Sequence, residues 1–206
     1  MDKVKYFNGI SIETPLAAIY RRLGFRKGVT DLSHRDKAET DSHIETALSL
    51  IRLQGAARRL PVVREGEAAV RLPDGAVFES RRLLKFLGGS NEILLMGATA
   101  GPEIMTAIQE DVAGRNVTRA VVLDAVAGET VDAVLDWIMA RSNQTLRREG
   151  KRLLPTRYSA GYGDLALENQ RTIHRLLALE KIGVGITETC MLIPEKSVTA
   201  ITGITP

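Results

Sequence analysis

Strand patterns in this chain come in hairpins and helix patterns come in pairs, and that order restricts the fold more than any other feature. From Ala56 to Ser80, "AARRLPVV", "EAAVRL" and "AVFES" read as three short strands joined through "REGE" and "PDG", both good turn signals. The regular strand–helix–strand alternation that builds a doubly wound sheet is missing. The expectation is an α+β fold: a mainly antiparallel sheet with flanking helices, in one domain over residues 1–206.

The remaining pattern fills in around this. "KVKYFNGISI" is a short strand, and in "ETPLAAIYRRLGF" Thr14 suits a cap, Pro15 a first helical position and Gly24 a helix end. "DKAETDSHIETALSLIRLQG" spaces Ala38, Ile44, Ala47, Leu48 and Ile51 helically, with Gly55 as its stop. "ESRRLLKFLGG" is a short helix. "NEILLMGATAG" is a buried strand opening into a small-residue loop, and "PEIMTAIQEDVAG" starts a helix near Pro102. A long helix runs from Val117 toward Gly150, with Val131, Val134, Leu135, Ile138 and Leu146 apolar. After the loop "PTRYSAGYGD", Leu167, Ile173, Leu176, Leu177 and Leu179 mark a last helix, and "GVGITETCMLIPEKSVTAITGI" reads as two strands around Pro194.

Composition excludes several function classes. Hydrophobic residues make up 44% and charged residues 26%, ordinary for a globular protein. Lys and Arg total 28 against 25 Asp and Glu, and the basic residues are scattered, so a phosphate-tracking nucleic-acid face is not expected. No apolar run approaches the ~18 residues that span a bilayer. "MDKVKYFNGISIETP" lacks the apolar core of a signal peptide, and Cys190 is the single cysteine, so the expectation is a cytoplasmic protein without disulfides or membrane.

Candidate chemistry is sparse. His34, His43 and His174 are far apart and show no metal-ligand spacing, so no metal site is expected. Cys190, in an apolar strand-like run, reads as an inert buried thiol. "GATAGPE" lacks both the P-loop Lys-Ser/Thr and the GxGxxG pattern, which leaves tight packing as the reason for its small residues. Asp132 and Asp136 stand four apart on one helix flank, where like charges repel by roughly 0.2–0.5 kcal/mol. They form either a solvated face or a carboxylate site for a cationic ligand. In the loop, Arg157 offers a planar fork for a carboxylate or phosphate, Gly161 and Gly163 permit positive φ, and Tyr162 gives a flat face with a polar tip. By composition this is equally a connector or a ligand loop. Glu188, flanked by two threonines, is a further candidate carboxylate, and no nucleophile–base set is present, so no catalytic residue is assigned.

In order, "RYSAGYGDLALENQRTIHRLLALEKIGVGITETCMLIPEKSVTAITG" resembles the C-terminal activation (reactivation) domain of cobalamin-dependent methionine synthase, in its stand-alone form. The family carries an Arg-x-x-x-Gly-Tyr loop, here Arg157, Gly161 and Tyr162. A helix follows, and then a Thr-Glu…Pro-x-x-Ser-Val segment, here Thr187, Glu188, Pro194, Ser197 and Val198. The resemblance covers residues 51–203. It implies a domain that binds S-adenosylmethionine and serves the reductive methylation of cob(II)alamin on a methionine synthase, acting in trans in methionine biosynthesis. The cobalamin would be carried by that partner, and a flavodoxin-type reductant would supply the electron.

Carried over by position, the resemblance implies that Arg157 pairs with the methionine carboxylate. The backbone from Ser159 through Ala160 to Gly161, with Tyr162, would cradle the adenosine, and Asp132 would be the helix carboxylate at the ligand. An acidic position before the arginine is not clearly matched: Lys151 is near it and Glu149 is offset. The chain also ends at Pro206, short of a tail that brings a further tyrosine in the family. These two departures favour an alternative, a corrinoid-protein docking module without S-adenosylmethionine binding. A third reading is an activator of another corrinoid methyltransferase.

Overall fold

A five-stranded antiparallel sheet divides two hydrophobic cores in the computed structural model, which describes residues 3–26, 28–31 and 33–206. In chain order the elements are β1 (Lys5–Asn8), α1 (Leu16–Arg22), α2 (His34–Leu50), β2 (Gln54–Pro61), β3 (Val63–Glu65), β4 (Ala69–Arg71), β5 (Val77–Glu79), α3 (Arg81–Leu87), β6 (Glu92–Thr99), α4 (Glu103–Ala113), α5 (Val117–Leu146), β7 (Arg152–Leu153), α6 (Asn169–Leu177), β8 (Gly185–Ile186), β9 (Leu192–Ile193) and β10 (Ser197–Thr205). The main sheet runs β1-β2-β6-β10-β7; β3-β4-β5 and β8-β9 form two smaller antiparallel sheets. The architecture is α+β.

Strand alternation explains the two cores. On β6, Leu94, Met96 and Ala98 face one core and Ile93 and Leu95 the other; on β10, Ala200 and Ile204 oppose Ile201. A strand covered on both faces must be apolar throughout, which accounts for the unbroken run "ILLM". The first core is closed by α1, α2, α4 and α5, the second by α3, α6 and the β3-β4-β5 sheet. Along α5, Val131, Val134, Leu135 and Ile138 recur at helical spacing and are buried, each stabilising the fold by roughly 1.5–3 kcal/mol. Asp132 and Asp136 fall between them and face outward.

Several boundaries depart from the sequence reading. Gly55 does not stop α2: the helix ends at Leu50, and Ile51 is already extended. Arg52 then donates its N–H to the Ala100 carbonyl at 2.8 Å, so the chain joins the sheet before reaching Gly55. Thr14 gives no side-chain cap to α1; the first turn is satisfied by the backbone carbonyls of Thr14 and Pro15. "AARRLPVV" is two strands of different sheets, broken after Pro61, which has no N–H to continue a ladder. The final segment holds three strands, with the hairpin β8-β9 before Pro194. Cys190 therefore lies in the tight turn of that hairpin with φ 65°, not on a strand, though it is buried as expected.

The small residues of "GATAGPE" pack: a Cβ on Gly97 would lie 2.8 Å from Leu179 Cδ2. Among the described residues, no helix is long and apolar enough to cross a membrane. None of their His, Cys, Asp and Glu side chains group in threes as a metal ion would need.

Candidate functional site

The segment between β7 and α6 begins as an extra edge of the sheet. Tyr158 exchanges hydrogen bonds with Ile201 at 2.8 and 2.7 Å, and Ser159 Oγ donates to the Thr199 carbonyl at 2.9 Å. The chain then coils tightly. Gly161 (φ 85°) donates to the Leu165 carbonyl at 2.8 Å, and Gly163 (φ 59°) leaves no space for a side chain, because a Cβ would sit 2.8 Å from Arg82 Cδ. Asp164 locks the coil to α3. It accepts from Ser80 Oγ and from the Arg81 and Arg82 amides at 3.0 and 3.3 Å, capping the helix from outside. The Ser80 hydroxyl, followed by these amides, holds its carboxyl below the usual carboxylate range.

This coil forms one wall of a cleft with a free volume of about 250 Å³. The opposite walls come from Asp132 and Leu135 of α5, Gln170 of α6, the β8-β9 hairpin with Cys190 and Met191, and the segment from Glu195 into β10. Arg157 reaches across to α5, where Nη2 lies 2.7 Å from Asp132 Oδ2 and Nη1 donates to Asp136. Partial burial works against its charge, yet the two carboxylates outweigh that and raise its pKa above the ordinary value. The four-residue spacing of Asp132 and Asp136 thus serves one guanidinium placed between them.

Neutral polar groups complete the wall. Gln170, only 7% exposed, is fixed by the Thr199 hydroxyl at 2.9 Å. Ala160 is 8% exposed, and its backbone N–H and C=O make no hydrogen bond among the described residues. Buried peptide groups are rarely left so, which makes this donor–acceptor pair a natural contact for a planar ligand edge.

A second hollow of about 360 Å³ adjoins the first, and Asp132, Tyr162, Glu195 and Val198 line both. Its other charged groups are Arg22, Glu129 and Lys196. Ligand sites usually enclose about 300–1,000 Å³, a size that the two hollows reach together and the first alone does not.

Of the residues singled out in the sequence, Asp132, Arg157, Ser159, Ala160 and Tyr162 line the cleft together. Gly161 shapes the coil without lining it. Glu188 is exposed on the hairpin turn and outside the lining; its carbonyl, not its carboxylate, accepts from Arg171. Glu149 and Lys151 belong to a different network, paired with Arg59 at 2.7 Å and Glu92 at 2.6 Å. Gln170 and Glu195 were not anticipated. Gln170 had a signal: it stands three residues before Ile173 on the buried stripe of α6, a polar side chain at a core position.

No protein-family model and no curated protein matches the chain. Among solved structures, a crystal structure of the MetH reactivation domain bound to AdoHcy superposes with a TM-score of 0.70 at 16% sequence identity. The match covers 98% of this chain and 78% of that one. It extends well beyond the loop and hairpin that carry the sequence resemblance, through the sheet and the helices on both of its faces. The chain therefore has the fold of the MetH reactivation domain.

Proposed function

We propose that this chain binds S-adenosylmethionine in the Arg157 cleft and acts in trans as an activation domain for a cobalamin-dependent methionine synthase. The observation that carries the reading is the whole-chain likeness to a domain bound to AdoHcy, combined with a cleft whose groups suit that kind of ligand. Arg157 would take the carboxylate of the amino-acid end and Asp132 its ammonium, since the two lie side by side with opposite charge. The unpartnered N–H and C=O of Ala160 suit the edge of a purine, and Tyr162, 69% exposed, offers a face at the rim.

The partner's cobalamin would supply the metal that accepts the methyl group, and a flavodoxin-type reductant the electron. This chain's part is to bind and orient the donor. A docking module without ligand binding is the second reading, favoured by one observation: Arg157 is already engaged by two carboxylates of its own chain.

Calorimetry with S-adenosylmethionine separates the two. The binding reading expects measurable heat at millimolar ligand, and loss of about 1.5–3 kcal/mol of affinity in Arg157→Ala. A silent titration leaves the docking reading. Regain of activity by an inactive cobalamin-loaded synthase, on adding this chain with S-adenosylmethionine and a reductant, tests the action in trans.

A further inference from the structure

Three cations line the two hollows, and each already has a carboxylate partner. Arg157 holds Asp132 and Asp136, Arg22 lies 3.2 Å from Glu129, and Lys196 lies 2.5 Å from Asp124. Glu195 is different. It lines both hollows, yet its carboxylate makes no ion pair or hydrogen bond among the described residues. Among the charged groups of the site it is the one left without an opposite charge.

We propose that Glu195 selects the methyl-bearing sulfonium form of the ligand over the demethylated thioether, an inference that rests on the S-adenosylmethionine reading above. The argument is a matching of charges. The amino-acid end of the ligand carries one anion and one cation, and the Arg157–Asp132 pair answers both. The ligand charge then left over is the sulfonium, and the site charge left over is Glu195. The location agrees, because Glu195 lies where the two hollows meet, and a ligand extending through both must pass it. A sulfonium has no N–H to donate, so the attraction is Coulombic and requires the charge of the carboxylate rather than its hydrogen-bonding capacity. The thioether is otherwise nearly the same molecule and lacks that one charge.

This makes Glu195→Gln diagnostic, since it keeps size and polarity and removes only the charge. Glu195 is exposed, so the substitution is expected to leave the fold and its unfolding midpoint unchanged. Calorimetry of the full chain with S-adenosylmethionine and with S-adenosylhomocysteine gives the ratio of affinities for wild type and variant. The wild type is expected to prefer the sulfonium by roughly fivefold, the upper range of a solvent-exposed charge pair. In Glu195→Gln the ratio should fall to about one, with thioether affinity unchanged. Equal weakening of both ligands overturns the proposal, because Glu195 would then face a group common to the two. An unchanged ratio overturns it as well. Failure of the wild type to bind either molecule overturns the S-adenosylmethionine reading itself, and is seen before any variant is made.

Discussion

Asp132 and Asp136 flank the same guanidinium from the same helix, yet removing one or the other should change ligand affinity in opposite directions. Asp132 lines the cleft and Asp136 does not. In the free protein Arg157 engages both, so a ligand carboxylate must compete with them for its N–H groups. Asp136 is the weaker competitor, because its side chain is 69% exposed against 56% for Asp132. Exposed pairs contribute roughly 0.2–1 kcal/mol, and relief of this contact in Asp136→Asn should tighten S-adenosylmethionine by about 1.4- to 5-fold. Stability should change little, since the lost pair is offset in part by the ~0.2–0.5 kcal/mol of repulsion that ends with it. Asp132→Asn removes a cleft carboxylate as well as a competitor, and should weaken binding. Titration calorimetry of both variants in one buffer, repeated at raised salt, is the assay. If Asp136→Asn weakens binding as Asp132→Asn does, Asp136 orients Arg157 rather than competing for it, and the reasoning fails.

Three further outcomes follow from the contacts. Gly163→Ala should lower stability by about 1–3 kcal/mol, because the positive φ and the clash with Arg82 and Tyr158 act together; urea unfolding checks it, and a neutral result would show that the coil can shift. Asp164→Ala releases the coil from the start of α3 without touching the cleft, so it should weaken S-adenosylmethionine binding and speed hydrogen exchange at the amides from Gly161 to Leu165. Glu92 is held at a pKa of about 2 by its hydrogen bonds with Arg59 and Lys151, against the opposing effect of burial. Its pKa is depressed on folding, so its contribution is present above its ordinary value of 4.5 and is lost as pH falls toward about 2. Glu92→Gln should cost on the order of 2 kcal/mol at neutral pH and flatten the acid limb of stability, read from urea midpoints across that window.

How far the sequence could be read depended on the range of the interaction involved. An apolar run located β6, Pro102 the start of α4 and helical spacing α5, because each signal lies within the element itself: Val131, Val134, Leu135 and Ile138 need only the helix to be recognised. The end of α2 escaped because it is decided by Arg52 bonding to Ala100, a partner distant along the chain. The hairpin around Cys190 escaped for a related reason. Its strands are two residues each, and an apolar run with no glycine at the turn looks like a single strand.

The candidate site shows the same division. Arg157, Gly161 and Tyr162 are close together in sequence and could be matched as a pattern, while Glu195 gains its meaning only beside Asp132 from α5, and no local spacing encodes that. Asp136 is the clearest instance: in the sequence it is a like charge four residues from Asp132, on either a solvated face or a carboxylate site. In the fold it is the second arm of a clamp on a side chain that α5 does not contain. Because Asp132 is carried by a buried helix and Arg157 by a segment bonded to β10, neither needs to be ordered when a ligand arrives, and less affinity is lost to fixing them. A ligand that binds only this folded arrangement must also stabilise it, by RT ln(1 + [L]/Kd). The rise in unfolding midpoint with S-adenosylmethionine should therefore track the calorimetric affinities of Asp136→Asn, the wild type and Arg157→Ala in that order, strongest first. A rise in Arg157→Ala as large as in the wild type would mean that the ligand is held somewhere other than between α5 and the coil.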